Sequence, residues 1–248
     1  MTGTGNERPL MRIAFVGLAA AVLGLTGSAL AADRDSLDFS GVWSTAAYHG
    51  RLLPADGAPL PFTAEGRARY TKTKAGLKSG AIVDEAVHSC VPEGMPRALA
   101  SAYPFQIVMT PEQVVFAHEA NRAYRIVGIT DKHADPKIWD PAYMGEGIGK
   151  WNGDTLIIDS TNFKGDEIYL DATGVPVSDK LHLTEQVSLV DGGKRLEDRL
   201  TVDDPVIFTK PWTARFVFER QAKMKLQTDW VCGERHRDVS RIMKRGAK

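Results

Sequence analysis

Beyond Phe105 the chain alternates apolar and polar residues with a period of two, and short turn signals cut the alternation into strands. Residues 105–110 and 113–120 flank Pro111-Glu112, and 123–130 follow across Asn121-Arg122. Residues 147–151 and 154–163 flank Asn152-Gly153, a dipeptide suited to the positive φ angles of a tight hairpin turn. A second hairpin spans 182–203, and segments 213–221 and 225–232 complete the series. Two longer excursions, 131–146 and 164–180, interrupt it. Upstream, residues 38–43 read as a first strand. Thr63 is placed to cap a helix running to about Ala75, with Gly76 and Gly80 ending it. Residues 81–104, with Cys90, Pro92, Gly94, Pro96 and Pro104, read as mostly irregular.

The 182–203 hairpin carries the most informative pattern. Pairing Asp191 with Lys194 across Gly192-Gly193 sets Val187 opposite Asp198, Glu185 opposite Leu200 and Leu189 opposite Leu196. One face then holds Leu183, Glu185, Val187, Leu189, Leu196, Asp198, Leu200 and Val202. It is apolar except for two diagonal carboxylates, close enough to influence each other's ionisation. A packed core has no use for two acids there, whereas a binding or catalytic cavity does.

About ten strands in sequence order would leave two bare edges in an open sheet. The expected fold is therefore all-β with one or two short helices: a single antiparallel up-and-down barrel, with a β-sandwich as the alternative. Phe39-Ser40-Gly41-Val42-Trp43 resembles the Gly-x-Trp opening of lipocalin-type barrels, where the Trp plugs the closed end. Other segments resemble a large, mostly uncharacterised family of exported bacterial proteins. They are Cys90-x-Pro92-x-Gly94-x-Pro96-Arg97, Tyr103-Pro104-Phe105, the run from Gly147 to Leu156, and Asp204-Pro205 through Pro211-Trp212-Thr213. The resemblance covers most of the mature chain. It implies export and a barrel but no activity.

The N-terminus agrees with export. Arg8 and Arg12 precede an apolar stretch, 13–25, and Ala29-Leu30-Ala31 supplies a small-x-small cleavage pattern. Residues 1–31 thus read as a signal peptide and point to a periplasmic or secreted location. Residues 32–104 then hold the first strand, the helix and the proline-rich loop, 105–234 the meander of the same domain, and 235–248 a basic tail. No later segment is apolar enough for stable membrane insertion. Lys plus Arg number 31 and Asp plus Glu number 31, so no global field favours nucleic acid. Cys90 and Cys232, the sole cysteines, are expected to form a disulfide in an oxidising compartment. A zinc site with His88 and His236 is the rival.

Glu185 and Asp198 are the leading candidates for general acid/base work, with His118 on the face shared with Val114 and Phe116, and Arg125 opposite. Arg220 is the expected neutraliser if the acids serve structure instead. His182 sits on the far face of its strand and joins the acids only through a bulge. Arg97 and Tyr103 in the proline-rich loop are candidate substrate ligands, and Tyr143 and Trp151 add aromatic surface. The spacing Asp131-x-His133-x-Asp135 is a weak metal signal, and neither a metal nor a cofactor is expected. The sequence reading is a lyase or isomerase, working without cofactor on a small apolar or aromatic metabolite. The alternative is a non-catalytic periplasmic carrier or sensor of such a ligand.

Overall fold

The computed structural model describes residues 1–3, 38–45, 48 and 50–227. Nearly all of the signal segment, the basic tail and Cys232 lie outside the described residues, and the expected Cys90–Cys232 bridge lies there with them.

Nine strands close into one barrel in sequence order: β1 (Gly41–Thr45), β2 (Phe105–Met109), β3 (Gln113–His118), β4 (Tyr124–Ile129), β5 (Glu146–Asn152), β6 (Thr155–Thr161), β7 (His182–Val190), β8 (Arg195–Asp203) and β9 (Trp212–Arg220). β9 closes on β1 through Trp43 opposite Arg220 and Thr45 opposite Phe218. Closure removes both sheet edges, which rules out the sandwich arrangement. Residues 225–227 form no strand, so the expected tenth strand is not needed for closure.

One pairing departs from a strict up-and-down barrel: β4 and β5 run parallel, with Val127 opposite Gly147 and Ile129 opposite Gly149. Parallel neighbours need a crossover of roughly a dozen residues or more. The 131–146 excursion is that crossover, a role that periodicity does not reveal. The β7–β8 register agrees with the turn chemistry, setting Glu185 opposite Leu200 and Asp198 opposite Val187.

Inward-facing residues of every strand fill the barrel, among them Ile107, Phe116, Val127, Leu156, Ile158, Leu183, Leu196 and Phe218. Gly147 and Gly149 face inward on β5; a Cβ on Gly149 would meet Val127 and Ile129 side chains at 3.0 and 3.1 Å. Their bareness makes room for the branched residues of β4. Trp43 is fully buried, donates from Nε1 to the Phe39 carbonyl at 2.9 Å, and lies under the Arg220 guanidinium at 4.3 Å. It plugs one end, as the Gly-x-Trp resemblance implies. The other end is covered by loops carrying Leu52, Leu99, Leu181, Ile207 and Phe208.

Helix α1 (Ala64–Ser79) begins where Thr63 accepts from the Gly66 N–H, and it passes Gly76 to stop at Gly80, at φ 75°. It is polar almost all round. Gly66 alone is buried, because its backbone sits against the Ile207 carbonyl, 2.2 Å from where a Cβ would be. A four-residue helix, α2 (Glu85–His88), occupies part of the segment expected to be irregular.

Candidate functional site

Alternation within β4, β6, β7 and β8 delivers four polar side chains to one place inside the barrel. Arg125 takes the inward slot between Ala123 and Val127, Ser160 follows Leu156 and Ile158, and Glu185 and Asp198 come from the hairpin. Arg125 and Glu185 form a two-pronged ion pair, with Nη1 donating to Oε2 at 2.8 Å and Nη2 to Oε1. Nη2 also donates to Ser160 Oγ at 3.0 Å, and the guanidinium lies 5.4 Å from the Phe116 ring centroid. Glu185 is wholly buried and Arg125 2% exposed, so this pair is held out of water.

Asp198 sits beside it. Burial pushes its pKa well above the usual carboxylate value; the Glu185 charge adds to the rise and Arg125 opposes it. Beside a buried Arg125–Glu185 pair, a second ionised carboxylate is disfavoured. Asp198 Oδ1, His118 Nε2 and Arg125 Nε are buried and have no hydrogen-bond partner among the described residues. His118 lies 5.5 Å from the Phe105 ring; burial and then the Arg125 charge push its pKa down to about 3. It is a neutral imidazole.

The structure thus brings Glu185 and Asp198 together, with the His118 ring within reach of the Arg125 charge, but the neutralising cation is Arg125, not Arg220. Arg220 is occupied at the plugged end, donating to the carbonyls of Gly193 (2.9 Å) and Asp38 (3.1 Å) as it covers Trp43. The signal for Arg125 and Ser160 was present: each is the polar member of an inward-facing alternation. His182 does not join the group. It lies on the outer wall, where its Nε2 meets Asp159 Oδ2 at 2.8 Å, and no bulge intervenes in the β7–β8 ladder.

Three clefts lie around the covered end, and neither Glu185 nor Asp198 lines any of them. The first, of about 170 Å3, is lined by Tyr48, Glu93, Arg97, Ser101 and Tyr103 among others. Arg97 and Tyr103 therefore do share a site. Arg97 bonds Asp84 at 2.9 Å, while its Nε and Glu93 Oε2 are buried with no hydrogen-bond partner among the described residues. Burial raises the Glu93 pKa despite the nearby Arg97 charge. Glu93 carries no sequence signal beyond its place in the loop. The second cleft, about 250 Å3, is lined by Glu93, Arg97, Tyr143 and Tyr169 among others. Trp151 lines none of the three; it packs edge-on against Phe39 at 5.3 Å, at the plugged end.

The third cleft, about 490 Å3, is lined by Leu52, Leu53, Leu99, Ala100, Ala214 and Phe216, with Thr45, Arg51 and Arg215. It lies between the end of β1 at Thr45 and the β9 residues Ala214, Arg215 and Phe216. A more open pocket of about 530 Å3 lies at the plugged end, by Asp38, Leu189, Lys194 and Arg220. Phe216 is the cross-strand partner of Asp198, and Ala214 of Leu200.

The Asp131-x-His133-x-Asp135 spacing does not converge on a common point. Asp131 pairs with Lys150 at 2.9 Å, Asp135 accepts from the Lys137 N–H, and His133 turns toward Glu146 and Asp159. In comparison with known proteins, the chain matches no protein-family model and no curated protein.

Proposed function

We propose that this chain is an exported small-molecule-binding protein, a carrier or sensor that takes a small apolar or aromatic ligand at the covered end of its barrel. The observation that carries this reading is the cleft of about 490 Å3 between Leu52, Leu53, Leu99 and Phe216. Its volume suits a small organic ligand, whose sites span roughly 300–1,000 Å3. Arg51 in its lining is the cation for an acidic group on the ligand, since Arg215 is held by Glu197. The smaller Arg97–Tyr103 cleft shares Ala100 with it and adds polar contacts. Ligand sites of this kind set a few polar groups in a mostly apolar lining.

The barrel interior supports a carrier over an enzyme. Glu185 is partnered by Arg125, and both acids are sealed from solvent and packed among apolar side chains. One observation favours the second reading, a lyase or isomerase without cofactor: burial and the Glu185 charge raise the pKa of Asp198, the cross-strand neighbour of the cleft residue Phe216. Export itself rests on the signal pattern. Position supports the Cys90–Cys232 bridge: Asn121 Nδ2 holds the Ala86 and Val91 carbonyls beside Cys90, and the Gln227 N–H reaches Glu119 nearby.

The test uses 1-anilinonaphthalene-8-sulfonate, an apolar aromatic anion. Its fluorescence should rise on the full chain, and Leu53→Glu, at a half-exposed position, should abolish the rise without moving the unfolding midpoint. Equal binding by the variant would remove the cleft from the account. Asp198→Asn separates the readings: a carrier keeps binding, and an enzyme keeps binding but loses turnover.

A further inference from the structure

The crossover between β4 and β5 is pinned to the outer barrel wall at two places. At its far end Asn162 Nδ2 donates to the carbonyls of Trp139 (3.0 Å) and Asp140 (3.3 Å), and the Ala142 N–H donates to the Asn162 carbonyl (3.0 Å). Amides and carbonyls do not titrate, so this anchor is indifferent to pH. At the near end the anchor is His133. Its Nε2 meets Asp159 Oδ1 at 2.7 Å and its Nδ1 is hydrogen-bonded to Glu146 Oε2. Glu146 Oε1 also accepts from the Ala134 N–H at 3.3 Å. The other oxygen of Asp159 faces His182 Nε2.

A ring with a carboxylate oxygen against each nitrogen must carry both protons, because an ionised carboxylate only accepts. Removing one proton would set a nitrogen lone pair against an anion. We propose that His133 is a proton-operated latch that closes the near end of the crossover onto β5 and β6 when charged and releases it when neutral. The latch stands on the outer wall, apart from the clefts, and does not depend on their binding a ligand.

The charged and titratable groups around it are few. β5 contributes Glu146 and Lys150, the latter tied to Asp131. β6 contributes Asp159, and β7 contributes His182, whose cross-strand neighbour on β8 is Asp203. The crossover itself adds Asp131, Lys132 and Asp135. Partial burial works against the charged ring, but the hydrogen bonds and charges of Glu146 and Asp159 outweigh it and hold the His133 pKa above its ordinary 6.5. Burial likewise opposes ionisation of Asp159, yet the two imidazoles bring its pKa below 3.8.

The signs follow by linkage. The His133 contribution is full below pH 6.5 and is lost as pH rises through the raised folded value. The Asp159 contribution is full above 3.8 and is lost as pH falls through its lowered value. The latch is therefore shut in mildly acidic medium and opens on the alkaline side. Because Asn162 keeps its hold, opening frees the near half only. Tyr143 lies on the held side, where its carbonyl accepts from the Met95 N–H at 3.1 Å and its ring lines the second cleft.

Histidine and amide NMR of the full chain, titrated from roughly pH 5 to 9, tests the latch. The His133 ring should titrate above 6.5, and amides of residues 131–138 should shift with the same midpoint while Trp139, Ala142, Leu156 and Ile158 stay still. Glu146→Gln should lower both midpoints together. His133→Gln should erase the amide transition with the barrel spectrum intact. A His133 midpoint at or below 6.5, or crossover amides that titrate unchanged in His133→Gln, would overturn the proposal. Titrations in EDTA and with added zinc should coincide; a midpoint that moves with zinc would make the cluster a metal site and overturn the proton latch.

Discussion

Arg125→Leu is the most instructive single change. It removes the cation but leaves Glu185 buried without exposed surface, beside Asp198 and without its ion-pair partner. Breaking a buried ion pair from one side costs about 3–5 kcal/mol, since the surviving charge can neither reach water nor find a partner. With a urea dependence of about 2 kcal/mol per molar, the unfolding midpoint should fall by about 1.5–2.5 M. The loss should shrink at about pH 5 relative to pH 8, because an uncompensated buried carboxylate takes up a proton when the medium supplies one. Arg125→Leu combined with Glu185→Leu removes the charge altogether and should cost less than Arg125→Leu alone; similar replacements of buried pairs are often neutral. Equilibrium urea unfolding followed by circular dichroism reads all three quantities. A midpoint shift below about 0.5 M for the single variant, or a double variant as unstable as the two singles summed, would refute the buried pair as described.

Other expectations concern the neighbours. The Asp198 pKa is raised, so its contribution to stability is full below 3.8 and is lost as pH rises through the raised value. Asp198→Asn cannot ionise and should flatten that alkaline decline in thermal midpoints; an unchanged slope would mean the acid is already charged. His118, lowered from 6.5 to about 3, acts in the opposite sense: stability is full above 6.5 and declines as pH falls toward 3. His118→Phe, packed against Phe105, should reduce the acid-side slope by about one bound proton, measured as the pH dependence of the unfolding free energy.

Much of the site was legible because strand geometry is rigid. A period of two fixes which side chains share a face, and a glycine pair fixes where the chain reverses, so Glu185 and Asp198 could be placed on one apolar face from sequence. What alternation cannot give is which non-adjacent strands meet. Arg125 on β4 reaches Glu185 on β7 across the interior of the closed wall, past β5 and β6, and that depends on the parallel β4–β5 step carried by an irregular crossover. The crossover in turn depends on His133 and Asn162, polar contacts with no periodic signature. Arg220 was misplaced for a related reason. It does follow the inward face of β9, but at the last strand position, where the plugged end and the Trp43 ring claim it. The clefts depend on where β1 stops and how the proline-rich loop lies, which composition alone does not specify.

The central claim is that ligand enters at the barrel wall where β1 ends and not at the buried acids. An amide and methyl chemical-shift titration of the full chain with 1-anilinonaphthalene-8-sulfonate tests it most directly. The account expects perturbations at Leu52, Leu53, Leu99, Ala214 and Phe216, with Leu156, Leu183 and Leu196 unmoved. Perturbations confined to those interior leucines, or none at any cleft residue, would contradict it.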